Sequence, residues 1–355
     1  LQFLRIFCWE FFTTTHHLMQ SILVIGAGIA GLLAAQDLQK RGFDVTVIDK
    51  GRGLGGRLAT RRLEVDGRTG KADHGAQYIT AYEPRFEALV QEMERNGALR
   101  VWGTSLSSVG QAKRPRYIAP EGMTAVAKYC AKSLTVRLGE RVLSLKGGDE
   151  GGWKVQTDKE ASIHADALLI TAPVPQALML VDTLAHEVLS AAERMSLEAI
   201  QYEPSIALML ALLEGKTSEV KPPGMVFVGG GSVMWIADNQ QKGISPDVAT
   251  LTIHTTPSFA REHWETREED LVPLLLADVH PYLSMDAIAS YSLHRWRYSR
   301  VIAPHAGLFL AAAGSNAPLI FAGDAFAGIT PLLTRVEDAA LSGWAAAEYL
   351  SSLGT

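Results

Sequence analysis

Cysteine is scarce in this chain: Cys8 and Cys130 are the two it has in 355 residues. Two thiols cannot form a disulfide framework. Without a C-x-x-C pair they offer neither a zinc knuckle nor a dithiol redox centre, and the usage suits a reducing, cytoplasmic setting. The ten histidines include no H-E-x-x-H, and the nearest fragment, His186-Glu187, lacks a second histidine four residues on. No metal site is expected. No Lys/Arg block occurs and the formal net charge is −5, which leaves no basic field to hold nucleic acid. What is present is ordinary globular composition, 47% hydrophobic and 20% charged, which excludes disordered and fibrous classes. The length suits two intertwined domains.

Residues 1–12 (LQFLRIFCWEFF) are rich in aromatics, but Arg5 and Glu10 interrupt them. They fall far short of the ~20 apolar residues that cross a bilayer, and no small-residue cleavage site marks a secretory signal. Residues 1–18 are read as a dispensable extension or a mis-called start, with the domain beginning at Met19. A membrane-surface anchor is the alternative.

From residue 21 the pattern reads strand (22–25), glycine-rich turn, helix (29–41), strand (45–48), with Gly42 as the helix C-terminal glycine. A hairpin follows around Asp66-Gly67 and Thr69-Gly70, then an amphipathic helix over 83–96 ended by Gly97. Short strands are expected at 134–136, 142–146, 153–157 and 167–171, with the glycine-rich turn 147–152 between the middle two. Beyond Pro173 come helical stretches at 176–181 and 187–195. Long alternating strands follow at 205–213, 226–228, 233–237, 249–256 and 289–297. Thr266 with Glu269 forms a capping box for a helix that Pro273 should kink or shorten. The chain returns to strand (319–322), Gly323-Asp324, and a final helix from about Arg335, for which Thr334 with Glu337 offers a second capping box.

Gly26-Ala27-Gly28-Ile29-Ala30-Gly31 is a G-x-G-x-x-G between a strand and a helix. Gly26 permits the tight turn, Gly28 lets a pyrophosphate approach the backbone, and Gly31 allows close packing. The helix N-terminus adds N–H donors and a positive dipole end. Asp49, 23 residues after Gly26, stands where an acid accepts hydrogen bonds from a ribose, and Lys50 follows it. In 51–57 (GRGLGGR), Gly55-Gly56 lets the chain cross close to an extended dinucleotide and Arg57 can neutralise its pyrophosphate. Together GAGIAG and D-K-G-R-G-L-G-G-R resemble the FAD-binding fingerprint of the flavin amine oxidase superfamily. Phe321-Ala322-Gly323-Asp324 resembles that superfamily's late Gly-Asp, whose acid contacts the ribityl–phosphate part of the flavin.

Further stretches are similar to one family within it, the renalases and their bacterial relatives: Ala72-Asp73-His74-Gly75-Ala76-Gln77-Tyr78-Ile79-Thr80, Ala119-Pro120-Glu121-Gly122-Met123, Ala172-Pro173-Val174-Pro175, Trp235-Ile236-Ala237-Asp238-Asn239, Ile253-His254-Thr255-Thr256 and Trp296-Arg297-Tyr298-Ser299. The resemblance covers nearly the whole chain from Met19. It implies an α/β fold, a Rossmann-like FAD-binding domain with an inserted, mostly antiparallel α+β substrate domain, as in p-hydroxybenzoate hydroxylase and the amine oxidases. The FAD-binding domain is assigned to 19–82, 120–178 and 300–355, and the substrate domain to 83–119 and 179–299. The resemblance implies a non-covalent FAD contacted by Gly26, Gly28, Ile29, Ala30, Gly31, Asp49, Lys50, Gly55, Gly56 and Arg57. Gly75, Ala76, Gln77, Tyr78, Val142, Ala172, Gly323, Asp324, Arg335 and Val336 complete that set. The implied activity is oxidation of the 2- and 6-dihydro isomers of NAD(P)H, with O2 reduced to hydrogen peroxide.

Tyr78, His254 and Trp296 are the candidate pocket residues, with Trp235 a further one, because an aromatic or imidazole face can stack on a nicotinamide ring. One departure stands out. The segment 325–334 (AFAGITPLLT) contains Pro331 and lacks the Trp–Gly–Gly pattern of the amine oxidases. An amine or amino-acid oxidase is therefore the second reading, and a protein whose flavin is structural or regulatory is the third.

Overall fold

The computed structural model describes residues 19–104, 114–147, 151–159, 162–222, 224–227, 231–327 and 335–354. The expected extension 1–18, the centre of the turn 147–152, Val228 and Thr334 lie outside them. The chain opens with β1 (Ser21–Ile25), α1 (Ile29–Lys40) and β2 (Asp44–Asp49). A hairpin of β3 (Thr60–Val65) and β4 (Arg68–Asp73) precedes α2 (Pro84–Arg95). The short ribbon β5 (Arg100–Thr104) and β6 (Pro115–Ile118) leads to α3 (Thr124–Cys130) and β7 (Thr135–Leu138). A three-stranded meander, β8 (Val142–Gly147), β9 (Trp153–Thr157) and β10 (Ser162–Ala165), delivers the chain to β11 (Ala167–Ile170).

Helices α4 (Val174–Val181) and α5 (Ala191–Glu198) lead into the second sheet, whose strands are β12 (Gln201–Leu212), β13 (Met225–Val226), β14 (Val233–Asp238) and β15 (Thr250–Thr255). Helices α6 (Pro257–Glu262) and α7 (Glu268–Val279) come before its last strand, β16 (Ile288–Ala303). The chain ends with β17 (Leu310–Ala311), β18 (Leu319–Phe321) and α8 (Val336–Leu353).

The first sheet has the order β17-β18-β11-β1-β2-β7, parallel except for the edge strand β17. From Ile22 to Ile25 strand β1 is apolar, because both sheet faces are covered. One face packs on α1, α2, α3 and α8, the other on α4, α5 and the meander. Helix α2, placed in the second domain on sequence, presents Phe86, Val90 and Met93 to the core shared with α1 and α8. Its amphipathic spacing was readable, but such a pattern does not say which partner the apolar stripe meets. Helices α1 and α2 both end in Schellman motifs: Phe43 N–H reaches Leu38 C=O around Gly42, and Ala98 N–H reaches Met93 C=O around Gly97.

The second sheet runs β13-β14-β15-β12-β16, all antiparallel. Ile206, Leu208, Leu210 and Leu212 of β12 face α6 and α7, whereas Met209 and Ala211 face the β3–β4 hairpin. The long β12–β16 ribbon crosses between lobes, its far end placing Tyr202 and Val301 against the first sheet.

Several sequence expectations change. Helix α3 and strand β10 have no counterpart in them. The helix expected at 187–195 starts at Ala191, because Ser190 and Glu193 form a capping box, leaving Val188 and Leu189 to fill the core before it. Thr266 does not cap α7: its hydroxyl turns to His263 and Arg267 takes the cap position. Pro273 lies inside α7, which continues to Val279. At α8 the Arg335 N–H is taken by Asp338 at 2.7 Å, while Glu337 instead accepts the Tyr82 and Glu83 N–H groups. No helix among the described residues is long and apolar enough to cross a membrane.

Helix α8 packs closely on α1, where a Cβ on Gly343 would lie 2.2 Å from the Ala30 carbonyl oxygen. Gly343→Val should destabilise the protein by about 1–3 kcal/mol through overpacking. Gly147→Ala, where a Cβ meets nothing within 4 Å, should stay within about 0.5 kcal/mol of the parent. Urea midpoints check both.

Candidate active site

The first constellation lies at the C-terminal edge of the parallel strands, where doubly wound sheets bind ligands. Gly26 adopts φ +122°, turning the chain from β1 into α1 beside Thr171 and Ala172. Gly31 lets α1 close on that turn, since a Cβ there would be 2.1 Å from the Gly26 oxygen. Gly28 is the N-cap of α1 and offers no side-chain acceptor, and the first turn, with Ile29, Ala30 and Gly31 buried, carries no acid. A Cβ on Gly28 would meet no protein atom within 4 Å. Gly55 bridges to Gly28, and its N–H bonds the Ala27 oxygen at 2.9 Å; Gly56 takes φ +54°. Bare backbone donors, an unneutralised helix N-terminus and open space over Gly28 fit the pyrophosphate of a dinucleotide.

Asp49 ties the two glycine loops together, accepting Ala27 N–H at 2.7 Å and Gly51 N–H at 2.6 Å. Lys50 Nζ donates to Gln176 at 2.9 Å. Gly75 is forced by a close approach: a Cβ would stand 1.9 Å from the Arg57 oxygen, which accepts the Ala76 N–H. Arg57 itself faces Asp324, in a two-point ion pair at 2.5 Å per contact. The two residues assigned separately to the cofactor thus meet each other, with Tyr202 and Tyr298 alongside. Gly323 N–H bonds Ser342 of α8, which fixes the Gly-Asp turn on the final helix. Arg335 and Val336 open that helix, the Arg335 guanidinium lying over Tyr82. Val142 begins β8, and its side chain is buried in the core of the first lobe.

The second constellation is the face of the second sheet that looks toward 74–78. Register aligns Trp235, His254, Ala207 and His294 in one row across β14, β15, β12 and β16, with Ser205 and Trp296 paired beside it. The His74 carbonyl is the hub, hydrogen-bonded to His254 Nε2 at 3.1 Å and to Trp296 Nε1 at 2.8 Å. The His74 ring stacks on Trp296 with centroids 5.3 Å apart, and its Nδ1 is buried without a partner. Gln77 donates to the Asp73 and Gly75 carbonyls and leaves its own Oε1 buried and unpaired. Tyr78 sits between Trp102 and Trp235.

Burial, reinforced by neighbouring His294 and Arg61, pushes the His74 imidazole down to about 3. Burial likewise takes His254 to about 4 and lowers His294. These rings are neutral at pH 7.

Tyr78, His254 and Trp296 are therefore neighbours in space. His294, Lys242, Trp102 and Arg116 escaped the sequence reading, and Asp73 and His74, though part of the 72–80 stretch, were given no role there. Alternation alone would have found His294, two residues before Trp296 and hence on its face. Lys242 and Asp73 form an ion pair at 2.6 Å with both side chains fully buried. Nothing local marks a pair 169 residues apart. No cluster of metal-ligating side chains occurs among the described residues.

Residues 24–93 match the family model of the NAD(P)-binding Rossmann-like domain, and residues 95–351 match that of flavin containing amine oxidoreductase. An L-glutamate oxidase precursor from Streptomyces diastatochromogenes is 39% identical over 85 residues, 22% of this chain and 13% of that protein. A lysine-specific histone demethylase 1 homolog 3 from Oryza sativa subsp. indica is 40% identical over 60 residues, 17% of this chain and 7% of the relative. These matches thus span a small part of each relative. A solved structure of putrescine oxidase bound to putrescine superposes with a TM-score of 0.64 at 15% identity, covering 94% of this chain and 99% of that one, a likeness of fold alone.

Gly28→Val should abolish flavin retention and leave the fold intact, because a Cβ at this position meets no protein atom within 4 Å while the branched side chain fills the space a pyrophosphate would take. Flavin content after gel filtration, read with far-UV circular dichroism, checks it; full occupancy in the variant would refute the assignment.

The neutral imidazoles also set a pH dependence. In the unfolded chain they protonate near 6.5, in the folded protein near 4 and 3. Their contribution to stability is complete above pH 6.5 and is lost progressively as pH falls from 6.5 to about 4 for His254 and to about 3 for His74. Each group adds a slope of up to about 1.4 kcal/mol per pH unit in that window. Urea midpoints between pH 7 and 4 should fall, and less steeply in His74→Phe.

Proposed function

The chain belongs to the flavin-containing amine oxidoreductase family and its cofactor is FAD, and from that premise we propose a renalase-like oxidase that returns the 2- and 6-dihydro isomers of NAD(P)H to NAD(P)+. When bound, FAD would supply the hydride acceptor and the route by which the electron pair reaches dioxygen. One isomer, one O2 and one proton give one NAD(P)+ and one hydrogen peroxide.

The observation that carries this reading is the chemistry of the face opposite 74–78. Trp235, His254, His294 and Trp296 are rings, the imidazoles are held neutral by burial, and none of the four is a carboxylate. The cations near it, Arg61 and Arg116, would repel an ammonium substrate. A flat, uncharged dihydropyridine is accepted by stacking. Losing hydride turns that ring into an aromatic cation, so no proton leaves the substrate and no general base is needed. The residues' task is orientation: holding the donor carbon about 3–3.5 Å from its acceptor is itself a large rate factor.

In this reading 19–82, 120–178 and 300–355 hold the cofactor, through the glycine loops, Asp49, the Arg57–Asp324 pair and the start of α8. The second sheet and β5–β6 shape the substrate face, whereas α2, assigned with them on sequence, packs in the core of the cofactor lobe. Non-covalent attachment is supported by Cys130, which is buried on α3 with its thiol pushed up to about 12 by desolvation.

Anaerobic mixing with the isomeric dihydronicotinamides should bleach the flavin, whereas an amine panel should not. Because His74 and His254 titrate far below the range, the limiting reduction rate should change less than about threefold between pH 6 and 9. Bleaching by amines alone, with a tenfold rise in rate across that range that His254→Ala removes, would replace this reading with an amine oxidase.

A further inference from the structure

Arg116, on β6, is buried with 7% of its surface exposed. Among the described residues it forms no ion pair. Its guanidinium lies 4.4 Å over the Tyr78 ring, and its Nε is buried without a hydrogen-bond partner. Trp102 and Trp235 flank the same tyrosine with ring centroids 6.5 and 6.2 Å away, and neither buried indole N–H has an acceptor. The Trp235 ring is held against Gly224, where a Cβ would come within 2.4 Å of it. Lys242 Nζ stands 5.4 Å from the Trp102 ring.

Three unpaired buried donors around one tyrosine, one of them on a cation, are unfavourable unless something accepts from them. The neighbouring acid is already engaged, since Asp73 is bound by Lys242. An acceptor with negative charge and several oxygens matches a guanidinium beside two indole donors. Trp235 is the cross-strand partner of His254, so these donors adjoin the aromatic face.

We propose that Arg116, Trp102 and Trp235 form a subsite for an oxyanion carried by the substrate, with Arg116 as ion partner and the indoles as hydrogen-bond donors. It rests on the proposed function for its place beside the reacting ring. On a dihydronicotinamide dinucleotide the oxyanion is phosphate; on an amino acid it is carboxylate.

The test titrates FAD-loaded protein with inorganic pyrophosphate, glutarate and uncharged nicotinamide, following calorimetric heat and the flavin difference spectrum. FAD occupies the Gly28 cradle throughout, so added anions report on the second site. Arg116→Met should weaken pyrophosphate or glutarate binding at least tenfold, and Arg116→Lys less. Nicotinamide affinity should stay within twofold. Whichever anion binds more tightly identifies the oxyanion. Trp235→Phe, which keeps the ring and removes the N–H, should weaken the same anion several-fold, and it decides the matter if Arg116→Met fails to fold. Equal anion affinity in parent and variants, or equal losses for anion and nicotinamide, overturns the subsite. If anions bind through Arg116 while no isomer bleaches the flavin, the subsite stands and the dihydronicotinamide reading falls.

Discussion

The buried ion pair between Asp73 and Lys242 is the contact on which the geometry of both lobes converges. Asp73 closes β4 and accepts three groups in all: Lys242 Nζ at 2.6 Å, Thr60 Oγ1 at 2.6 Å and Met123 N–H at 2.8 Å. The Lys242 carbonyl accepts from Arg100 of β5. One carboxylate thereby joins the hairpin, the start of α3 and the loop between β14 and β15. Such a pair is weak evidence for stability, because desolvating two charges offsets much of their attraction. What it specifies is position. The next residue is His74, whose carbonyl receives both His254 and Trp296, so a shift of this pair moves the hub of the aromatic face.

That face and the glycine cradle work by opposite means. The cradle uses backbone, with open space over Gly28 and helix N–H groups free of side-chain caps. The face uses side chains whose ionisation is suppressed by burial. A neutral imidazole bonded to a carbonyl is a rigid wall element rather than a proton carrier. The combination suits chemistry in which charge moves as hydride and the protein supplies alignment.

Much of the first lobe was legible because its signals are local. The glycine hexapeptide, Asp49 at the end of the second strand and the two Schellman glycines each act within a few residues. His254 and Trp296 were singled out from family resemblance and ring chemistry, and both bond the His74 carbonyl. The rest was hidden for physical reasons. A carbonyl hub such as that of His74 is backbone, and no side chain announces it. The pairing of Arg57 with Asp324 joins positions 267 apart, and either residue alone reads equally well as a phosphate or ribityl contact. Thr266 had the right spacing for a cap, but its hydroxyl pairs with His263 three residues back instead.

The assembly of the first lobe from both ends of the chain has a consequence for its birth on the ribosome. Helix α1 emerges early with Leu32, Leu33 and Ala34 ready for burial, yet its partner α8 and the strand β18 are made about 300 residues later. Gly343 leaves the ribosome roughly 310 residues after Ala30, a delay of about 15–60 s at about 5–20 residues per second. For that interval the nascent lobe carries the apolar stripe of α1 that α8 will cover. Premature termination anywhere before α8 would yield a product exposing it, a substrate for chaperones and proteases rather than a smaller working protein.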